Sequence, residues 1–249
     1  MITAHTLSTL AITLLFCLVF LRGRSLKILG ELRHRTVISV AGGAAVAYVF
    51  MDLAPELELA ASGFRAKVAQ FDAHVLAYGV HLATMVGFLF FYGLEELVIR
   101  SHGDGSRQSR DVSRPDALFR IHMIAFCAYA WVVSYLLVRS MEKTPSSLVF
   151  YAVAMALHFL SVAHTLREEH GAVYDRIGAR LLAASSLAGW GCGMVFALPD
   201  IGSDLLLGLV AGGVIANTTI SELPREKEGR FIPFLVGAAA YTGLLFLAG

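Results

Sequence analysis

Residues 41–58 read AGGAAVAYVFMDLAPELE, an apolar run that ends at a carboxylate, Asp52, and is followed by Leu and a Pro-Glu turn. Residues 211–228 read AGGVIANTTISELPREKE and repeat this design, with Glu222 at the place of Asp52. Both copies contain Ala-Gly-Gly, an acid-Leu pair and two later glutamates. Apolar helices that end in an acid also resemble each other by chance, because the acid meets water. The remaining sequence is therefore needed to decide between a true repeat and a chance resemblance.

The composition is typical of a membrane protein. Of the 249 residues, 57% are hydrophobic and 16% are charged, and the mean hydropathy is +0.68. Soluble domains contain about 45–50% apolar and about 25% charged residues. We therefore expect one polytopic membrane domain over residues 1–249, with the lipid bilayer as a partner. The arginines orient the chain and do not form a nucleic-acid footprint.

Eight apolar runs are long enough to cross the hydrocarbon core as helices, which takes roughly 17–25 residues. The runs are residues 6–22, 36–54, 78–98, 117–138, 147–166, 180–198, 202–221 and 231–248. The predicted fold class is an all-α integral membrane protein with eight transmembrane helices. Residues 101–116, rich in Gly, Ser and Arg, are predicted to form a flexible cytoplasmic loop.

The distribution of Lys and Arg predicts the orientation of these helices. The loops after the first, third, fifth and seventh runs hold sixteen of the twenty basic residues. Cytoplasmic loops carry an excess of Lys and Arg, so these four loops are predicted to face the cytoplasm and both termini to face outside. The two copies of the repeated stretch then lie in the second and seventh helices and run in opposite directions. Similar segments of opposite direction are typical of transporters built from inverted repeats.

Several segments together resemble the ZIP family of divalent-metal transporters. The resemblance rests on residues 41–58, on GFLFFYGLEE at 87–96, on residues 156–193 and on residues 211–245. It covers most of the chain and implies a ZIP-like bundle with an inverted repeat of helices 1–3 and 6–8 around helices 4 and 5. It implies transport of a divalent cation (Zn, Mn or Fe) as substrate, with no permanently bound cofactor. A homodimer and a bacterial inner membrane are compatible with it.

The resemblance also implies a metal site between the fourth and fifth helices. The family's His-Asn-x-x-Asp-Gly aligns with HMIAFC, which retains His122, and its His-Glu-x-Pro-His-Glu aligns with HFLSVA, which retains His158. Imidazole and carboxylate groups bind Zn, Mn and Fe. His164 and Glu169 follow on the fifth helix, and we include both among the candidate ligands. A hydrogen-bonded structural role for His158 and a solvated helix end at Glu168, Glu169 and His170 are the alternatives.

Polar residues elsewhere indicate a transport path. Asp52 and Glu222 would mark its two mouths, and Ser161 and Thr165 form a polar stripe with His158 on one helical face. Asn217 lies in the seventh helix and is a further path candidate, although polar groups in membrane helices also serve only to link neighbouring helices. The pairs Gly189/Gly193 and Gly208/Gly212 have the small-x-x-x-small spacing that permits close helix packing.

Three functions were weighed on these grounds. The first is a divergent ZIP-like secondary transporter of a divalent cation. The second is a ZIP-fold membrane protein that no longer transports and acts as an accessory, sensor or interaction partner. The third, a membrane enzyme, is disfavoured because the sequence has no HExxH motif, no phosphate loop and no nucleophile–base pairing. We therefore expect no enzymatic activity.

Overall fold

A computed structural model of the chain describes residues 4–22, 31–69, 75–103, 117–139, 145–222 and 231–248. These residues form α-helices, with short π-helical and 3-10 segments and no strand, so the all-α fold class is confirmed for the described part of the chain. The helices are α1 (Ala4–Arg22), α2 (Glu31–Tyr48), α3 (Ala54–Val68), α4 (Gly79–Gly103), α5 (Ala117–Arg139), α6 (Pro145–Val173), α7 (Ala179–Val195), α8 (Asp200–Asn217) and α9 (Phe231–Ala248).

Six helical stretches are long and apolar enough to cross a membrane. One of them, Leu148–Val195, contains most of α6 and all of α7, whereas the apolar stretch Phe231–Leu247 in α9 is shorter. Large apolar side chains are exposed on the outer helices; Phe246 and Leu247 are 74% and 87% exposed. Soluble proteins rarely expose contiguous apolar surface of this kind. The architecture is that of a membrane-embedded helical bundle.

The inner helices of the bundle are α5 and α6. The helix α2 packs along α9, α8 packs along α4, and α7 packs along both α5 and α1. Aromatic side chains fill the space between α1, α5 and α6. Phe159 lies 5.0 Å from Phe16 and 6.0 Å from Tyr129, measured between ring centroids. These rings form an aromatic cluster between the two ends of the bundle.

Glycines set the closest helix contacts. A Cβ atom at Gly189 would collide with the backbone of Trp131 in α5, and one at Gly212 would collide with the backbone of Thr84 in α4. Gly193 and Gly208 lie against α5 and α4 in the same way. The predicted packing role of both small-residue pairs is confirmed, because only a residue without a side chain permits this backbone approach.

Both copies of the repeated stretch contain a π-helical turn. The first is Val49–Leu53, between α2 and α3, and the second is Thr218–Glu222, after α8. Each turn ends two residues before a proline, Pro55 or Pro224. Proline has no N–H to donate to the carbonyl four residues earlier, so the regular α-helical pattern breaks inside the turn. The acid of each copy, Asp52 or Glu222, therefore lies in the widened turn.

Candidate metal site at one end of the bundle

Three side chains from α5 and α6 converge at the end of the bundle where α5 begins. His122 belongs to the second turn of α5, and Glu169 and His170 are neighbours near the end of α6. The regular part of α6 stops at Gly171, whose φ of +53° is a conformation that glycine adopts without strain. Because helix α6 stops there, Glu169 and His170 occupy its last turn, opposite the start of α5.

The separations of the donor atoms suit a single cation. His122 Nδ1 lies 3.0 Å from His170 Nε2 and 3.2 Å from Glu169 Oε2, and His170 Nε2 lies 3.8 Å from the same oxygen. A point equidistant from three atoms with these separations lies about 2.0 Å from each, close to the Zn–N and Zn–O bond lengths. Among the described residues, His122, Glu169 and His170 are the group of side chains whose donor atoms lie close enough together to hold a metal ion. We call them the His–Glu–His triad.

Little of the triad is exposed to solvent, since His122 is buried and Glu169 and His170 are half-buried. The His122 side chain is 1% exposed, that of His170 is 6% exposed and that of Glu169 is 12% exposed. The edges of aromatic rings close it from the side, with Phe119 next to His170 and Phe126 next to His122. A carboxylate taken out of water needs compensating partners. A bound cation would supply one.

One oxygen of the triad lacks such a partner. Oε2 of Glu169 is close to both imidazoles, yet neither contact has hydrogen-bond geometry, and this buried atom has no hydrogen-bond partner. The carboxylate is therefore near both rings but poorly aligned with them, and an off-axis N–H contact stabilises little. The two imidazole nitrogens share a 3.0 Å hydrogen bond, which a bound cation would replace. An oxygen and two imidazole nitrogens that lie this close together are an arrangement suited to a metal ion.

The other two candidate ligands lie outside the triad. His158 lies eleven residues before Glu169, which is about 16 Å along a helix. Its Nε2 lies 3.0 Å from the Tyr129 hydroxyl, and its ring is 1% exposed. His164 Nε2 lies 3.3 Å from Oε1 of Glu168, one turn later, and this pair is partly exposed. Of the predicted ligands, the structure thus brings together His122 and Glu169 only.

The third member of the triad, His170, belongs to a helix end with two interpretations from the sequence. The family resemblance implies transient metal ligands there, and the alternative is a solvated end with ion pairs to Arg167 and Arg176. The guanidinium of Arg167 is 6% exposed and pairs with Asp175 at 2.7 Å, away from the triad. The sequence signal that could have identified His170 is the order Glu-His-Gly at residues 169–171. A glycine that ends a helix places the two residues before it in the last turn of that helix.

The predicted path residues occupy different depths. Asp52 Oδ2 accepts a 2.6 Å hydrogen bond from the Tyr241 hydroxyl of α9. Ser161 is buried in α6, and Thr165 is half-buried one turn before Glu169. Asn217 ends α8 with its amide nitrogen buried and without a hydrogen-bond partner. The side chain of Glu222 lies outside the described residues. The structure therefore does not bring these residues together at one site.

No protein-family model matches this chain, and searches of curated proteins and of solved structures found no match to it either. The three cysteines of the chain, Cys17, Cys127 and Cys192, are free thiols and lie outside the triad. The case for a function therefore rests on the geometry described above and on the chemistry of the residues that form it.

Proposed function

We propose that the protein is a divalent-metal transporter of ZIP-like design, which carries Zn²⁺, Mn²⁺ or Fe²⁺ through the bundle and binds it at the His–Glu–His triad. The observation that carries this proposal is the triad itself. Two imidazole nitrogens and a carboxylate oxygen, from one buried and two half-buried side chains, lie at separations that fit one ion. This donor set binds all three of these metals, and geometry and availability then decide among them.

The packing of the helices supports an inverted repeat. Gly43 of α2 approaches the backbone of Phe234 in α9, and Gly237 of α9 approaches the backbone of Val40 in α2. The contact between α8 and α4 has the same reciprocal design. There, Gly212 meets Thr84 and Gly87 meets Leu209.

The second and third predicted membrane helices correspond to α2 and α4, and the seventh and eighth correspond to α8 and α9. An inverted repeat that relates predicted helices 1–3 to predicted helices 6–8 would map α2 onto α8 and α4 onto α9. It would thereby exchange these two contacts. The π-helical turns of the two repeated stretches fit the same relation, since each holds the acid of its copy. Inverted repeats place a substrate path between the halves, near the middle of the membrane. The repeated stretch is then a consequence of the transport architecture.

The proposed path has a polar group at each stage. Asp52 lies at one end, and its neighbour Leu53 lines a cavity of about 30 Å³. The wall of this cavity is mostly apolar and includes the polar groups of Tyr48, Glu56 and Tyr151. The His158–Tyr129 pair lies between this cavity and the triad at the other end. By the distribution of basic residues, the triad faces the cytoplasm. Since His158 is 1% exposed, an ion passes only when the packing around this ring opens, as alternating access requires.

A second function has one observation in its favour. The middle of the bundle is aromatic, and His158 is held there by Tyr129. A protein that binds metal at the triad without passing it across the membrane, as a sensor or accessory protein, also fits this arrangement. Binding and uptake must therefore be measured separately.

The test is metal affinity in detergent together with uptake into proteoliposomes, each measured for Zn²⁺, Mn²⁺ and Fe²⁺. We expect His122→Ala and Glu169→Gln to abolish both binding and uptake of the preferred ion. His164→Ala is the matched control, because His164 is also on α6 and pairs with Glu168 away from the triad. Binding without uptake by folded protein would favour the sensor. Absence of binding would contradict both functions.

A further inference from the structure

A small cavity adjoins the side chain of His122. It is bounded by α4, α5 and α8, and its volume is about 10 Å³. Three polar residues line it, namely Glu95, His122 and Asn217, and the remaining wall is apolar, including Phe91 and Phe126. A cavity needs roughly 10–15 Å³ to hold one water molecule, so this one has room for a single water.

Two of the residues that line this cavity each carry a buried side-chain nitrogen that lacks a hydrogen-bond partner. These nitrogens are Nε2 of His122 and Nδ2 of Asn217. The His122 side chain is 1% exposed, and its other nitrogen, Nδ1, faces the triad. Buried polar atoms in native proteins are paired with protein or ordered water in the great majority of cases. Both nitrogen atoms therefore need a hydrogen-bond partner other than a protein side chain.

The hydrogen-bonding capacities of the cavity match those of one water. When Nδ1 of a neutral His122 ring offers its lone pair to a metal ion, the proton of the ring is on Nε2, which then donates. The amide nitrogen of Asn217 also donates, and the ionised carboxylate of Glu95 accepts only. A water oxygen accepts two hydrogen bonds and its two hydrogens are donated. One molecule can thus accept from His122 and Asn217 and donate to Glu95.

We propose that this cavity holds one ordered water, which links Nε2–H of His122 and the amide of Asn217 to the carboxylate of Glu95. On this arrangement, Glu95 and Asn217 are positioning residues of the metal site, which they do not touch. They hold the His122 ring in the tautomer and orientation that present Nδ1 to the ion. This role rests on the proposed metal binding at the triad. Metal-ligating histidines commonly donate their second N–H to a carboxylate or water in this way.

The neighbouring glutamate provides a matched control. Glu96 follows Glu95 on α4, but its carboxylate lies 2.8 Å from Arg100 Nε, and the pair is exposed to 39% and 77%. Glu95→Gln removes the negative acceptor from the cavity with little change of shape, and Asn217→Leu replaces the donor by an apolar group of similar size. Glu96→Gln changes the same charge one residue away from the cavity.

The first experiment measures the affinity of purified protein for the preferred ion. We expect Glu95→Gln and Asn217→Leu to weaken binding about 10- to 100-fold, the usual effect of losing such a supporting partner. Glu96→Gln should bind as the wild type does. In a His122→Ala background, Glu95→Gln should cause no further loss, because its effect acts through His122. Unchanged affinity in Glu95→Gln, or an equal loss in both backgrounds, would overturn the proposal.

The second experiment does not require metal. A high-resolution structure of the wild type should show one water within hydrogen-bonding distance of His122 Nε2, Asn217 and Glu95, and the cavity of Asn217→Leu should be dry. A dry cavity in the wild type would overturn the proposal even if metal binds. If the water is present but the protein binds no metal, the proposed function and the positioning role of Glu95 and Asn217 are both contradicted. Only the presence of the ordered water would then be supported.

Discussion

At the scale of single residues, the histidines of α6 have three different environments. His158 is buried against Tyr129, His164 pairs with a partly exposed glutamate, and His170 faces His122 and Glu169. The three histidines recur every six residues, so residue type and spacing do not distinguish them. His158 and His170 face side chains of α5, namely Tyr129 and His122, whereas His164 pairs within α6.

His158 allows metal binding to be separated from metal passage. Glutamine at this position retains a polar group for Tyr129 and leaves the triad, about 16 Å away along α6, unchanged. We expect His158→Gln to bind the preferred ion with wild-type affinity and to take it up at least about tenfold more slowly, a barrier increase of about 1.4 kcal/mol. The measurement is affinity and initial uptake rate on the same preparation. A loss of affinity equal to that of His122→Ala would instead make His158 a ligand of the triad site.

The ion pair of Arg167 and Asp175 tests how burial changes the contribution of a charge to the stability of the fold. Arg167 also lies over the ring of Tyr174, 5.2 Å from its centroid. Arg167→Met leaves Asp175 without its cation in a partly buried site, and removing one partner of a buried pair costs about 3–5 kcal/mol. Because Asp175 is 28% exposed, we expect the loss in the free energy of unfolding to fall below the upper end of this range. Thermal unfolding in detergent should show a clearly lower midpoint.

The matched control for Arg167 is Arg100→Met. The Arg100–Glu96 pair is exposed, and such pairs contribute about 0–1 kcal/mol. Its unfolding midpoint should stay close to that of the wild type. Equal shifts for both variants would show that burial does not determine the contribution of these charges.

At the scale of helices, close backbone contact between α2 and α9 and between α8 and α4 depends on glycine. Lipid chains are as apolar as the side chains, so helices in a membrane gain from close packing rather than from burial of apolar area. Both contacts use one glycine from each helix. The glycines therefore set the distance between the two halves of the proposed repeat.

Gly43→Ala should destabilise the bundle. The added methyl group meets the backbone of Phe234, which cannot rotate away as a side chain would. Overpacking of this kind costs about 1–3 kcal/mol. Gly93→Ala in α4 is the control, since a Cβ there meets no atom within 4 Å and alanine favours helix formation. Thermal unfolding should rank Gly93→Ala at or above the wild type and Gly43→Ala below it. The reverse order would exclude a packing role for Gly43.

At the scale of the whole molecule, the distribution of charge predicts the orientation in the membrane, and helix packing determines where each site lies along the bundle. Sixteen of the twenty basic residues fall in loops that the span pattern places on one side. The triad lies at the end of the bundle where α5 begins and α6 ends. These two facts together place the triad toward the cytoplasm in the proposed transporter.

Cysteine labelling tests this orientation. In a background with Cys17, Cys127 and Cys192 replaced by serine, a membrane-impermeant thiol reagent should label Ser62→Cys in intact cells. Ser62 is exposed on α3, on the side predicted to face outward. Ser109→Cys should be labelled only after the cells are opened. Ser109 belongs to the segment 101–116 that the sequence predicts to be a cytoplasmic loop, of which the structure describes only residues 101–103, the end of α4. Labelling of both variants in intact cells, or the opposite pattern, would contradict the predicted topology.

The sequence by itself determined the helical membrane class, the positions of the apolar runs and the small-residue pairs. These follow from hydropathy, length and glycine spacing, which act locally along the chain. It also placed His122 and Glu169 among the ligands. It did not distinguish His170 from a solvated helix end, nor His158 and His164 from ligands, because spacing on α6 alone does not show which residue of α5 faces each turn.

The tertiary structure decided the site. Only the packing of α5 against α6 brings His122 to His170 and Glu169, and only the break at Gly171 ends α6 at that point. The cavity next to His122 also needs α4 and α8, which contribute Glu95 and Asn217 from positions 122 residues apart. Donor atoms converge through contacts between distant segments, and no local pattern in the chain records those contacts.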